Sequence, residues 1–122
     1  MKLKTGGRTM TKRALIVEDD SNIAELLRLY LGKDGFEVMI AADGGKAESM
    51  FDLFAPDVVL LDIMLPFFNG YHWCNEIRKC SNAPIIFLSS ASDNMNIVMA
   101  MNMGGDDFIA KPFDRTVLVA KV

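Results

Sequence analysis

The feature that most constrains the fold of this chain is its regular alternation of short apolar runs with longer amphipathic segments. The apolar runs are "RALIVE" (13–18), "EVMIA" (37–41), "VVLLD" (58–62), "PIIFLSS" (84–90) and "FIAK" (108–111). Runs of this length that are apolar at nearly every position indicate strands buried on both faces, and the segments between them have helical length and periodicity. The sequence therefore predicts a doubly wound α/β fold with a five-stranded parallel sheet.

The segments between the predicted strands carry helix caps, apolar stripes and stop signals. The first helix should begin at "DDS" with Asp20 or Ser21 as its cap. Its predicted apolar stripe and its stop signals are Ile23, Leu26, Leu27, Tyr30 and Leu31, then Gly32 and Gly35. The second helix presents Ala47, Met50, Phe51 and Phe54 on one face. Further helices are predicted over about 71–79, over 93–103 and behind Asp114.

Length and composition bound the domain count. The chain has 122 residues, of which 51% are hydrophobic and 24% charged, and this fits one domain. We expect residues 1–10 to be a leader or cloning-derived segment and residues 11–122 to form the domain. No apolar run approaches the roughly 18 to 20 residues that span a bilayer, and no segment has the order of a signal peptide. We therefore expect a soluble, cytoplasmic protein without membrane contact.

The charge of the domain argues against direct binding of nucleic acid. Without Lys2, Lys4 and Arg8 in the leader, ten basic residues face sixteen acidic ones. An acidic body repels a phosphate backbone, so we expect no direct nucleic-acid contact by this chain.

The chain also contains a pair of cysteines and one histidine. Cys74 and Cys80 lie on a predicted helix and its exit, which is poor geometry for a disulfide. His72 has no Cys or carboxylate at metal-binding spacing, which favours a packing role.

The residues at the carboxyl ends of the predicted strands carry the chemistry. These ends meet at one edge of a parallel sheet, and ligands bind there where the strand order reverses. The residues in question are Glu18, Asp19, Asp62, Ser89 and Lys111. Each has an ordinary explanation, as a helix cap, a turn hydroxyl or a solvated charge. Three carboxylates at one rim, however, repel one another and need a compensating cation.

This set of side chains suits phosphoryl transfer. A hard divalent cation fits oxygen ligands, and Mg²⁺, or Mn²⁺ in its place, combines one or two carboxylates with waters and a phosphate. Asp62 is the predicted nucleophile and a metal ligand, Asp19 a direct ligand, and Glu18 a ligand directly or through water. Ser89 would hydrogen-bond the phosphoryl group, and Lys111 would pair with it.

Four motifs in order, "LIVEDD", "VVLLDIMLP", "PIIFLSS" and "GGDDFIAKPF", resemble the receiver domain of two-component response regulators over about 11–122. The resemblance implies a flavodoxin-like (βα)5 fold with strand order 2-1-3-4-5. It also implies a sensor histidine kinase as phosphoryl donor to Asp62. No classical enzyme activity is expected beyond this self-catalysed acceptance and slow autodephosphorylation.

The resemblance adds three features that periodicity does not show. The backbone carbonyl of Met64 becomes a metal ligand, and Phe108 becomes an aromatic rotamer switch paired with Ser89. A cis peptide is expected between Lys111 and Pro112.

A closer resemblance points to one class of receivers. "KPF" followed by a helix is similar to the winged-helix (OmpR/PhoB-like) transcription regulators, and "NGYHWCNEIR" and "VMAMNMGGDDFIAKPF" are similar to regulators that sense peptide antibiotics such as bacitracin. We expect the last helix to be truncated and the DNA-binding effector domain to be absent from this chain.

The predicted fourth helix (93–103) is unusually rich in methionine. Its side chains either fill a gap in the core or form a surface that phosphorylation exposes. The second alternative predicts homodimers that form through this helix, the fifth strand and the last helix.

Some positions depart from the usual receiver pattern. Phe67 and Asn69 stand in the loop after Asp62 where a Gly or polar residue and an Asp are common, and position 89 has Ser where Thr is common. These changes bear on the shape of the loop and on the tightness of the switch.

Three rival functions use similar parts. A haloacid dehalogenase hydrolase would need a second Asp where Met64 stands, and a flavin-binding domain would not place "EDD" at its phosphate loop. A protein interaction module that is independent of phosphorylation remains as the alternative.

Overall fold

The computed structural model describes residues 12–43, 45–46, 51, 54–63, 70–79, 81–89, 102, 104–111 and 115–122. Within them the elements are β1 (Arg13–Val17), α1 (Ser21–Lys33), β2 (Glu37–Ala41), β3 (Val58–Asp62), α2 (Gly70–Arg78), β4 (Ile85–Ser89), β5 (Asp107–Ala110) and α3 (Arg115–Lys121). Residues 45–46, 51, 54 and 102 are also helical and fall in two further predicted helices.

The five strands form one parallel sheet in the order β2-β1-β3-β4-β5. This confirms the predicted fold class and strand order. The chain passes from β2, on one side of β1, to β3 on the other side, so the direction of winding reverses at β1. The crevice at this reversal lies beyond the carboxyl ends of β1 and β3.

Burial follows position in the sheet. Every residue of β3 and β4 is buried, whereas the edge strand β2 alternates between exposed and half-buried positions before it ends at the buried Ala41. The two faces of the sheet form separate apolar clusters. One includes Leu61, Phe87 and Cys74, and the other includes Leu60 and Leu27. Helix α2 therefore covers one face, while α1 and α3 cover the other.

Helix α1 shows how local sequence sets an element's bounds. Asp20 is its cap, because Asp20 Oδ1 accepts hydrogen bonds from the backbone N–H of Asn22 (2.9 Å) and of Ile23 (3.3 Å). At the other end, Gly35 has a φ of +91°, which favours a residue without Cβ.

One part of the predicted stripe on α1 is wrong. Leu27 and Leu31 are buried as expected, but Leu26 is 39% exposed and the buried position is Ala24 instead. Successive helical residues are about 100° apart, so Leu26 lies well to one side of the line through Ala24, Leu27 and Leu31. The core is packed by this line and by the half-buried Ile23 and Tyr30 beside it, and Leu26 stays outside this contact.

Several predicted bounds also need correction. Strand β1 ends at Val17, before Glu18, and α2 begins at Gly70 and ends at Arg78. Strand β5 begins at Asp107, because its pairing with β4 starts where Asp107 lies beside Ile86. It ends at Ala110, which lies beside Ser89. A charged residue is tolerated there because β5 is an edge strand.

The remaining helix predictions are tested only in part. In the predicted second helix Phe54 is buried and Phe51 packs against the core. Ala47 and Met50, and the predicted fourth helix apart from Asn102, lie outside the described residues.

Arg78 ties three segments together at the end of α2. Its guanidinium donates to the carbonyl oxygens of Gly104 (3.1 Å), Ser81 (3.4 Å) and Ala83 (2.7 Å) and pairs with Asp106 Oδ2 at 2.7 Å. The same Asp106 oxygen accepts the backbone N–H of Ile85 at 2.8 Å. Arg78 thus links α2, the segment that leads into β4 and the segment that leads into β5.

Replacing Arg78 by alanine should destabilise the domain by about 2 to 3 kcal/mol, because several hydrogen bonds from a charged donor are lost at once. Urea unfolding measures the change. Arg28→Ala is the matched control, since the described contacts of Arg28 are to Glu25 on the same exposed helix face. An equal loss of stability in both variants would contradict the linking role of Arg78.

Candidate functional site

The predicted site residues lie together beyond the carboxyl edge of the sheet. Glu18 and Asp19 follow β1, Asp62 ends β3, Ser89 ends β4 and Lys111 follows β5. Glu18 and Asp62 are each 2% exposed and Ser89 is 3% exposed, while Asp19 is open to solvent. Asp62 is thus buried, and the side chain of Lys111 is 13% exposed, so the reading of either residue as an ordinary solvated charge is wrong. Met64 lies outside the described residues, as do Phe67, Asn69 and Pro112.

The three carboxylates form one acidic cluster. Glu18, Asp19 and Asp62 each place a carboxylate oxygen within 4.8 Å of the other two. In the part of the chain that the structure describes, they are the only group of His, Cys, Asp or Glu side chains close enough to share a metal ion. All three donors are oxygens and Asp19 faces water, so the set fits a hard divalent ion that keeps part of its hydration shell.

Lys111 bridges the two buried carboxylates. Its Nζ lies 2.9 Å from Glu18 Oε2 and 3.4 Å from Asp62 Oδ1. The backbone of Lys111 is anchored to the next strand, because its N–H donates to the Ser89 carbonyl at 2.6 Å. The sequence predicted Lys111 as a partner of a phosphoryl group, and it did not reveal that Glu18 would be the nearer carboxylate.

Burial changes the proton affinity of this cluster. It raises the pKa of Glu18 to about 7, a shift that the Asp62 charge increases and that hydrogen bonds from Lys111 and the Asp20 N–H oppose. Burial alone would lower the pKa of Lys111, but its hydrogen bond to Glu18 and the charge of Asp62 outweigh burial and raise it. The lysine is therefore held in its charged form, and burial favours the protonated form of Glu18.

Gly70 controls how closely α2 approaches the backbone of Asp62. Its N–H donates to the Ile63 carbonyl at 2.8 Å. A Cβ at this position would lie 2.9 Å from Ile63 Cα and would clash with the carbonyl oxygen of Asp62. Only glycine fits there without movement of the strand end. This close approach could not be predicted from the sequence, since it depends on where the helix meets the strand.

Ser89 and Phe108 lie on the same face of the sheet. Phe108 is beside Phe87 in the register of β4 and β5, and Ser89 lies two residues beyond Phe87. Residues two apart in a strand point to the same side. Phe108 is partly buried against the cluster that contains Phe87. This placement supports the predicted switch pair, whose movement stays a prediction.

His72 and Cys74 are not part of the acidic cluster. The ring of His72 contacts Trp73 edge to face, with centroids 4.7 Å apart, within the packing of α2. Cys74 is a buried thiol, and burial raises its pKa, which lowers its reactivity. Cys80 lies outside the described residues.

The family model of the response regulator receiver domain matches residues 14–122. This chain belongs to that family. The receiver domain described here is 53% identical over 110 residues to the "Uncharacterized transcriptional regulatory protein YvcP" of Bacillus subtilis, covering 90% of this chain and 46% of YvcP. It is 43% identical over 108 residues to the response regulator GraR of Staphylococcus aureus, covering 88% of this chain and 48% of GraR. The chain spans about half the length of these curated relatives.

Solved receiver domains have the same architecture. The N-terminal domain of the nisin resistance regulator NsrR, a lantibiotic response regulator, has a TM-score of 0.82 and 46% identity, over 90% of this chain and 93% of that domain. The BeF3-activated receiver domain of Klebsiella pneumoniae RstA has a TM-score of 0.86 and 36% identity, over 90% of this chain and 94% of that one.

Among its described residues, this receiver domain has no helix long and apolar enough to cross a membrane.

The stability of the metal-free domain should fall as pH rises, because of Glu18. Its pKa is about 7 in the folded protein against an ordinary value of 4.5, so the folded state binds this proton more tightly than the unfolded state. The stabilisation from this proton is complete below the ordinary pKa and is lost as pH rises through about 7. Urea unfolding in a chelating buffer, at several pH values across this window, measures the effect.

Glu18→Gln is the control for this pH dependence, since its amide does not titrate. The difference in unfolding free energy between the two proteins should therefore change across the window. Mg²⁺ should reduce the fall in the unchanged protein, because a bound cation favours the ionised carboxylate. A difference that stays constant with pH would show that Glu18 titrates normally.

Proposed function

We propose that Asp62 accepts a phosphoryl group from a phosphohistidine of a sensor histidine kinase, and that this switches the output of a transcription regulator. The observation that supports it is the pairing of a nearly inaccessible carboxylate, Asp62, with the Lys111 ammonium at 3.4 Å beside two further acidic side chains. A cluster with this charge serves no packing purpose, whereas it fits a carboxylate that must meet an incoming phosphoryl group.

The transfer step balances without another reactant. A carboxylate oxygen of Asp62 attacks phosphorus, the new O–P bond forms as the N–P bond to the donor imidazole breaks, and the electron pair leaves with the imidazole nitrogen. The product is an acyl phosphate with added negative charge. Lys111 would pair with the phosphoryl oxygens, and Ser89, at the end of the neighbouring strand, would hydrogen-bond them.

The acidic cluster supports a role for Mg²⁺, or Mn²⁺ in its place. Glu18, Asp19 and Asp62 would hold the ion, with the Met64 carbonyl as the further ligand that the family resemblance implies. When bound, the ion supplies positive charge that offsets the repulsion between the carboxylates and the phosphoryl oxygens. Lys111 would then be free to leave Glu18 and turn toward Asp62.

The output would pass through Ser89 and Phe108 to the face built by residues 93–103, β5 and α3. Phosphorylation would replace the single carboxylate charge of Asp62 by a phosphoryl group of about −1.5 to −2 charge. This group would draw the Ser89 hydroxyl inward and open space for the Phe108 ring. The altered face would then pair with the same face of a second copy.

The whole protein is proposed to be a cytoplasmic winged-helix transcription regulator. YvcP and GraR are named as regulators and are about twice as long as this chain, which supports a further domain after this receiver. The nisin resistance regulator NsrR supports a link to peptide antibiotics, in line with the resemblance to bacitracin-sensing regulators. The acidic charge of the receiver leaves DNA contact to the other domain.

Incubation with acetyl phosphate and Mg²⁺ should add one phosphoryl group to the protein, as measured by intact mass. Asp62→Asn should abolish the adduct, because the amide is a far weaker nucleophile than the carboxylate. Asp57→Asn is the matched control, since Asp57 accepts the Arg13 backbone N–H at the opposite end of the sheet and should leave the adduct intact. No adduct on the unchanged protein would favour the module that works without phosphorylation.

Phosphate-mimic binding should shift the domain from monomer to dimer. Beryllofluoride with Mg²⁺ should raise the mass measured by light scattering toward twice its starting value in a concentration-dependent way. Asp62→Asn should remain a monomer under the same conditions. An unchanged mass at all accessible concentrations would contradict dimerisation of this receiver through the proposed face.

A further inference from the structure

The aromatic ring of Phe108 faces a cation. Lys121 Nζ lies 5.5 Å from the centroid of the Phe108 ring, within the distance at which an ammonium is attracted to an aromatic face. Phe108 is only partly buried, and Lys121 is the last residue of α3. A residue of the last helix therefore contacts the proposed switch residue directly.

Asp107 holds this lysine in place. Lys121 Nζ lies 2.9 Å from Asp107 Oδ1, and the same oxygen accepts the backbone N–H of Phe108 at 2.8 Å. One carboxylate oxygen thus binds both the ammonium and the backbone of the residue whose ring the ammonium faces. This shared contact limits where the ammonium can lie relative to the ring.

The lysine reaches Phe108 around the edge of the sheet. Asp107 and Phe108 are consecutive in β5 and point to opposite faces. Helix α3 packs with its Leu118 on the face opposite the cluster that Phe108 contacts. Because β5 is the edge strand, Lys121 can extend past it to the ring. The contact with Lys121 therefore requires the Phe108 ring to point toward the sheet edge. A ring that turns inward toward Ser89 moves away from Lys121.

We propose that Lys121 is a positioning residue of the switch, which holds the Phe108 ring at the sheet edge and restrains activation of the unphosphorylated receiver. The inference rests on the proposed function, since it assigns a restraint to the same switch. A contact made in one state and lost in the other shifts the balance between them by its own free energy. A cation–π contact at a partly exposed site corresponds to about a two- to five-fold shift in that balance.

The simpler alternative is that Lys121 and Asp107 form an ordinary surface ion pair. Their side chains are 33% and 38% exposed, and such pairs contribute little to stability. An ordinary ion pair does not depend on the ring of Phe108 and leaves the switch unaffected. The two readings therefore differ in whether the effect of Lys121 requires the aromatic ring.

The test is the initial rate of Asp62 phosphorylation by acetyl phosphate with saturating Mg²⁺, at concentrations where light scattering shows a monomer. Lys121→Met should raise this rate about two- to five-fold, because the state that accepts phosphate becomes more populated. Lys121→Arg, which keeps a cation at the ring, should have a rate close to the unchanged protein. In the Phe108→Leu background, Lys121→Met should have no further effect.

Lys33→Met is the matched control, since it removes the same charge from an exposed position at the end of α1. It should leave the rate unchanged. An Asp62 adduct that forms at equal rates with and without Lys121 would overturn the restraint alone. An increase of the same size in the Phe108→Leu background would also overturn it. Absence of any adduct on the unchanged protein would overturn the proposed function and the restraint together.

Discussion

The contact of the Lys111 ammonium with two buried carboxylates is the interaction on which the site depends. Glu18 and Asp62 are both nearly inaccessible to water, and an uncompensated charge there would cost several kcal/mol. Lys111 supplies one positive charge against three carboxylates. Burial raises the pKa of Glu18, and the charge of Asp62 raises it further. The negative charge that Lys111 leaves uncompensated also fits the proposed binding of a divalent cation.

The sheet limits the free-energy cost of placing these charged groups together. β3 and β4 are apolar and buried along their length, so polar groups are confined to the strand ends. Gly70 packs α2 tightly against the carbonyl of Asp62 and so restricts the position of this carboxylate. Phe108 lies in the edge strand β5, and Lys111 follows the end of that strand three residues later. This short segment therefore lies between the acidic cluster, which Lys111 contacts, and Lys121 of α3, which faces Phe108.

Much of this could be predicted from residue types and their spacing. The apolar runs gave the parallel sheet, and their polar ends gave Glu18, Asp19, Asp62, Ser89 and Lys111, because parallel strands bring their carboxyl ends to one edge. The position of Leu26 could not be predicted, since the width of the buried stripe depends on how α1 lies on the sheet. The exact start of β5 could not be predicted either, because it depends on where pairing with β4 begins. The mixed composition of this edge strand does not indicate that point.

By itself, the sequence determined how strands and helices alternate along the chain, which residues follow the carboxyl ends of the strands, and that the site is acidic. These follow from local periodicity and from the way a parallel sheet must be wound. Only the tertiary structure decided that Lys111 lies nearer to Glu18 than to Asp62, that Gly70 has no room for a side chain and that Lys121 faces Phe108. Such contacts join residues far apart in the chain, and their distances depend on how helices pack on the sheet, which no local pattern records.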